Sequence, residues 1–215
     1  MIKITCISDT HGQEKKIKLG GGDLLLHAGD FEIRTQDDFL DRCNWLSAQF
    51  YKKKVFVVGN HDFWVQDNLN IAKGIVDHYP SLTMLYNDSV TFEGIKIWGS
   101  PYSVMFRNWA FMAKDSELNK LWGTIPKDTD IIITHTPPYH ILDLAEFGNT
   151  HCGSFTLKEK IKTLKPKLHL FGHIHEEHGQ YYDGSILYIN ASQLNSTYGL
   201  EFKPVDLDYI NGEIF

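Results

Sequence analysis

The chain has 215 residues and a mass of 24.7 kDa, with 42% hydrophobic and 22% charged residues. That is ordinary globular usage with enough apolar material for a core, which excludes disorder and fibrous repeats. Acidic residues exceed basic ones by 27 to 21, and the formal charge of −6 argues against affinity built on phosphate-backbone contacts, so long nucleic acid is not an expected partner.

Residues 2–7 form a short, β-branched apolar run that reads as a buried strand and stops at Ser8-Asp9-Thr10-His11-Gly12. Gly20-Gly21-Gly22 is a turn without the Lys-Ser/Thr of a phosphate-cradling loop. Leu24-Leu25-Leu26 is a second buried run, stopping at Gly29-Asp30. Over residues 36–51 the spacing of Phe39, Leu40, Cys43, Leu46 and Phe50 predicts a helix with one apolar stripe. Residues 55–58 read as a third strand, ending at Gly59-Asn60-His61-Asp62. Residues 89–92 and 95–98 flank Glu93-Gly94 as a hairpin. Helices are predicted over 116–122 and 155–164. Strands are predicted over 130–134, ending at His135, and over 168–171, ending at Gly172-His173-Ile174-His175. Pro137-Pro138 imposes an extended loop, and 180–182 pairs with 187–189 through Asp183-Gly184. No linker, low-complexity tract or repeat interrupts the pattern, so one α/β domain over residues 1–215 is expected. No apolar run approaches the ~20 residues of a membrane span. The first residues lack a signal segment, and Cys6, Cys43 and Cys152 form no CxxC pair, which together predict a cytoplasmic protein with reduced thiols.

The 11 histidines decide the functional reading. In α/β sheets, chemistry collects at the carboxyl ends of the strands, where loops converge. Here the polar clusters Asp9/His11, Asp30, Asn60/His61, His135 and His173/His175 each follow a β run. Neighbouring strands would bring these side chains to one crevice, where uncompensated carboxylates and imidazoles are costly to desolvate. Divalent cations would resolve that cost. Hard oxygen and borderline nitrogen ligands without thiolate suit Mn above all, with Fe, Zn or Ni as alternatives. One carboxylate can bridge two cations, the arrangement used for phosphoester hydrolysis.

The ordered set Asp9-x-His11, Gly29-Asp30, Gly59-Asn60-His61-Asp62, His135 and Gly172-His173-Ile174-His175 resembles the calcineurin-like metallophosphoesterase superfamily. The stretches Leu26-His27-Ala28-Gly29-Asp30-Phe31, Thr134-His135-Thr136-Pro137-Pro138, Phe171-Gly172-His173-Ile174-His175-Glu176 and Tyr188-Ile189-Asn190-Ala191-Ser192 resemble its metallophosphoesterase-domain-containing branch, related to the class III cyclic nucleotide phosphodiesterases. The resemblance implies a four-layer α/β/β/α sandwich of two mixed sheets flanked by helices. It implies one metal held by Asp9, His11, Asp30 and His175, and a second held by Asp30, Asn60, His135 and His173. A metal-bridging hydroxide would attack phosphorus, with Asp30 and His61 as catalytic residues and His61 stabilising the transition state or protonating the leaving group. The expected substrate is a small phosphate diester or monoester, nucleotide-like in character. The alternatives are a nuclease acting on short single strands and a non-catalytic interaction module on the same fold.

Many members of that superfamily place a carboxylate three residues after the bridging aspartate to orient the catalytic histidine. That position here is Ile33, which leaves Glu32 or Asp62 for the task. His27 reads as a core histidine. His140 is read equally well as facing substrate or as a solvated loop residue. The aromatic segment 102–112, with Phe106, Arg107, Trp109 and Phe111, is either a stacking wall or packing beneath a loop. His78, His151, His169 and His178 read as structural or surface residues, and Asn190 and Ser192 carry no derivable chemistry.

Overall fold

The computed structural model describes residues 1–146 and 149–215. Two six-stranded mixed sheets face each other. The first contains β1 (Ile2–Ile7), β2 (Gly22–His27), β3 (Tyr51–Phe56), β4 (Leu82–Met84), β15 (Val205–Ile210) and β16 (Glu213–Ile214), in the spatial order β16-β15-β1-β2-β3-β4. The second contains β5 (Asp88–Phe92), β6 (Ile95–Ser100), β9 (Ile131–Thr134), β12 (Leu168–Phe171), β13 (Gly179–Tyr182) and β14 (Leu187–Asn190), in the order β13-β14-β12-β9-β6-β5. Two-residue strands form small ladders between β7 (Ser103–Val104) and β8 (Met112–Ala113), and between β10 (Leu144–Ala145) and β11 (Thr150–His151).

Each sheet has a parallel centre. Ile4 registers with Leu24 and Leu26 with Val55 in the first; Ile97 registers with Ile131 and Leu168 with Ile131 in the second. The side-chain period of two splits every central strand between two apolar layers. Ile4, Cys6, Leu24, Leu26 and Val55 meet Ile97, Ile131, Ile133 and Leu170 between the sheets. On the outer side of the first sheet, Ile7, Leu25 and Phe56 pack on Phe39, Cys43 and Leu46 of α1 (Gln36–Ala48), with α2 (Phe63–Asp67) and α3 (Leu69–Val76) beside it. On the outer side of the second, Trp98, Ile132 and Phe171 pack on Leu118 and Trp122 of α4 (Asp115–Trp122) and Leu157 and Ile161 of α5 (Phe155–Leu164). This is the expected four-layer sandwich.

The helix predicted over 36–51 stops early. Thr35 and Asp38 form a capping box at its start, but Gln49 turns extended, Phe50 is 90% exposed, and Tyr51 already opens β3. The lysines at 52–54 hide that strand in the sequence. Lys54 nevertheless buries its stem and sends Nζ to the Ser47 carbonyl and the Ser81 hydroxyl. Among the described residues no helix is long and apolar enough to cross a membrane, and all three cysteines are free thiols.

Candidate metal centre

The carboxyl ends of the parallel strands of both sheets open on one crevice, and their loops are laced together by main-chain bonds. Asp9 N–H donates to the Gly29 carbonyl, His11 N–H to Asp30, and Gly172 N–H to His135. Asp9, His11, Asp30, Glu32 and His173 all have φ between 39° and 73°, the left-handed region that costs a residue with a side chain. These strained positions follow β1, β2 and β12, the strand ends that carry the candidate ligands. Two glycines give the carboxylates room: a Cβ on Gly172 would overlap Asp9 Oδ2 and Ser8 Oγ, and one on Gly59 would overlap Asp30 Oδ1.

Asp9, His11 and His175 form one group of converging donor atoms, and Asp30, His135 and His173 form a second. Asp30 stands between them. Its Oδ2 lies 3.2 Å from His135 Nε2 and 3.6 Å from His11 Nε2, while its Oδ1 accepts the His61 N–H at 2.8 Å. Asn60 Oδ1 faces His135 Nε2 at 2.9 Å. The structure thus brings together all seven residues whose side chains were expected to hold metal, with His61 beside them.

The tautomers argue that these atoms suit cations. His135 Nδ1–H donates to the Ala28 carbonyl, His175 Nδ1–H to the Asn195 carbonyl, and His11 Nδ1–H to Glu32. In the neutral form each ring would therefore point an Nε2 lone pair inward. Those lone pairs meet acceptors: His11 Nε2 faces His175 Nε2 at 3.3 Å, His175 Nε2 faces Asp9 Oδ1 at 3.4 Å, and His135 Nε2 faces both Asp30 and Asn60. Lone pair against lone pair in a buried site is repulsive unless a proton or a cation lies between them. Tethering a ring through its outer nitrogen is also how metal-binding histidines are oriented. The residues present therefore fit divalent metal.

Without a cation, protons take that place. Burial favours neutral His135, but the Asp30 carboxylate beside it raises the ring to about 9. Asp30 and Asp9 resist their burial and stay well below the usual carboxylate range, held there chiefly by His135 and His175 respectively. Burial pushes His173 down to about 3, assisted by the charge on His135. The favourable His135–Asp30 pair is complete below pH about 6.5 and is lost as pH rises through about 9. A divalent cation bound through His135 would have to displace that proton, so its affinity should climb by about tenfold per pH unit from 7 to 8 and level off above 9. Calorimetry in buffers of different ionisation enthalpy would detect the released proton; affinity without pH dependence would contradict this.

The two carboxylates left open by the sequence separate cleanly. Glu32 Oε2 binds His61 Nδ1 at 3.0 Å and His11 Nδ1 at 3.1 Å, while its Oε1 pairs with Arg34 at 2.7 and 2.8 Å. Hydrogen bonds from His11 and His61 hold Glu32 well below the usual carboxylate range, and Glu32 and Asp30 together raise His61 against its burial. Among the described residues Asp62 has no imidazole partner. It is fully buried and accepts the backbone N–H groups of Gly59, Phe31 and Ile33 at 2.7–3.1 Å, tying the Asp30 loop to the Asn60 loop. Asp62→Asn would turn an NH2 group against one of those donors and should cost about 2–3 kcal/mol in urea unfolding.

His27 is the core histidine expected, stacked on Phe31 at 3.7 Å and accepting the Gly29 N–H. His140 stacks on His151, itself 2.6 Å from Asp143. His169 is buried against Thr134, His178 stacks on Phe202, and His78 bonds the Gly74 carbonyl at a helix end. Asn190 gains a physical role: its Nδ2 donates to the Ile174 carbonyl at 2.7 Å, pinning the turn that carries His173 and His175 to β14. Two aromatic rings flank the crevice. Trp109 lies 4.8 Å from His61, and Tyr198, which the sequence did not flag, lies 4.9 Å from His11 and 5.0 Å from His175. Asn195-Ser-Thr-Tyr-Gly199 reads as a turn, but nothing in it says where the tyrosine lands.

A family model described as calcineurin-like phosphoesterase matches residues 2–177. The chain is 34% identical over 217 residues to UPF0046 protein K07C11.7 of Caenorhabditis elegans, covering 95% of this chain and 74% of that protein. It is 31% identical to human metallophosphoesterase domain-containing protein 1, covering 96% and 70%. Among solved structures, TT1561 of Thermus thermophilus shares the fold with a TM-score of 0.65 at 21% identity, over 88% of each chain.

Proposed function

Given that the chain belongs to the calcineurin-like phosphoesterase family, we propose that it hydrolyses a small phosphate diester or monoester, nucleotide-like in character, with the help of two divalent cations. The observation that carries this reading is Asp30 standing between two His/carboxylate groups whose inward nitrogens face acceptors. Asp9, His11, Asp30 and His175 would hold one cation; Asp30, Asn60, His135 and His173 would hold the other. Bound cations, Mn foremost, would supply the Lewis acidity that makes water nucleophilic at neutral pH and offsets phosphoryl charge.

The remaining tasks fall to the protein. Glu32 fixes the His61 ring through Nδ1, which leaves Nε2 to donate a hydrogen bond to a phosphoryl oxygen or a proton to the departing oxygen. Asp30 also holds the His61 main chain, so the imidazole and the shared carboxylate keep one relative position. The negative net charge leaves small phosphates as better substrates than long nucleic acid.

A chelator-stripped sample assayed with p-nitrophenyl phosphate, bis-p-nitrophenyl phosphate and 2′,3′- and 3′,5′-cyclic nucleotides would test this. Turnover restored by added Mn, Fe, Zn or Ni is the expected result. No turnover with any cation, and no metal retained on gentle purification, would assign the chain to the interaction-module alternative.

A further inference from the structure

We propose that Trp109 and Tyr198 are specificity residues that hold a planar ring, an aryl group or a nucleobase, near the scissile phosphate, so that the centre prefers phosphoesters carrying such a ring to purely aliphatic ones. This rests on the phosphoesterase reading and adds to it the chemistry of the group next to phosphorus. The His61 ring has Trp109 4.8 Å away and Tyr198 6.3 Å away, so an aromatic residue flanks the leaving-group imidazole at each distance. Tyr198 also meets His11 and His175 at interplanar angles of 77° and 73°.

Neither ring is core filler. Tyr198 is 46% exposed, it occupies left-handed backbone at φ 61°, and among the described residues its hydroxyl has no hydrogen-bond partner. A solvent-facing tyrosine in a strained conformation needs a reason other than packing. Its loop is fastened to the centre: Gln13 Nε2 donates to the Tyr198 carbonyl, Asn195 Oδ1 accepts from Thr197 and Gly199, and the Asn195 carbonyl receives His175 Nδ1–H. Trp109 is fastened too. The next residue, Ala110, donates its N–H to the Asn60 carbonyl, and Phe111 N–H binds Gln66 Oε1 at 2.6 Å. Phe106 supports the indole edge-on at 5.8 Å. Rigid aromatic side chains held in place gain contact area with little loss of entropy on binding.

Phenylphosphonate and butylphosphonate, whose C–P bonds resist hydrolysis, separate ring recognition from turnover. Calorimetry on the Mn-loaded protein should show phenylphosphonate bound more tightly by about tenfold or more, within the range of aromatic stacking. Trp109→Leu and Tyr198→Leu should each cut that ratio by about fivefold, with Tyr198→Phe keeping most of it. Equal affinity of the wild type for the two probes, binding of neither, or an unchanged ratio in both Leu variants would overturn the proposal. Hydrolysis of p-nitrophenyl phosphate by the same preparation reports separately on the phosphoesterase reading, which stands if turnover persists while the ratio is flat.

Discussion

Asp30→Asn should lower turnover by roughly 10³-fold or more, the scale expected when several kcal/mol of transition-state charge stabilisation is lost. The substitution removes the charge from a carboxylate that faces both His11 and His135. It keeps the shape of the side chain and an oxygen for the His61 N–H. The variant should therefore fold, and mass-spectrometric metal analysis should show a loss at both positions, not one. Wild-type-like turnover under metal-replete conditions would remove the basis for a shared aspartate. Metal loss at only one position would show that the two groups are filled independently.

Glu32→Gln should cost about 10–100-fold in turnover and weaken metal binding by a similar factor, as loss of an outer carboxylate on a ligand histidine generally does. A single carboxylate oxygen holds both His61 and His11 here, so one substitution loosens both imidazoles together. Glu32→Asp, which retains the charge on a shorter arm, should recover part of both losses. Stability in urea should change little, because Glu32 is a third exposed and Arg34, its other partner, is half exposed. That separates Glu32 from Asp62, whose removal is expected to appear in stability first. A Glu32→Gln variant with reduced turnover but unaltered metal affinity would confine its role to His61.

The candidate site was largely legible because most of its residues lie within a few positions of a strand end, where a one-dimensional pattern fixes a three-dimensional address. Asp9, Asp30, Asn60, His135, His173 and His175 needed only that rule. Glu32 did not follow from it. Its reach to His61 depends on left-handed backbone at Glu32 itself, φ 62°, which turns a side chain two residues past Asp30 back toward the crevice. No residue type announces that conformation when it is not glycine. Tyr198 was illegible for a related reason, since its place depends on a turn far along the chain closing over loops from β1 and β12. The fold shows the same division. The central strands are short apolar runs, whereas β3 begins under three lysines. Val205, Leu207 and Tyr209 alternate with Asp206 and Asp208 along β15, a period-two signal in the sequence; its partner Glu213–Ile214 is too short to carry one.

The seven expected ligands are divided between two sheets that pack on each other through an apolar seam. Asp9, His11, Asp30 and Asn60 extend from the first sheet, His135, His173 and His175 from the second, and Leu26 and Val55 of the first meet Ile133 of the second in that seam. Each proposed cation would draw ligands from both sheets, so side-chain volume deep in the sandwich would set how closely the two halves of each ligand set approach. Changes at Ile133 or Leu26, far from the ligands themselves, should therefore alter cation affinity, and a cation held between the sheets would in turn tie their ends together.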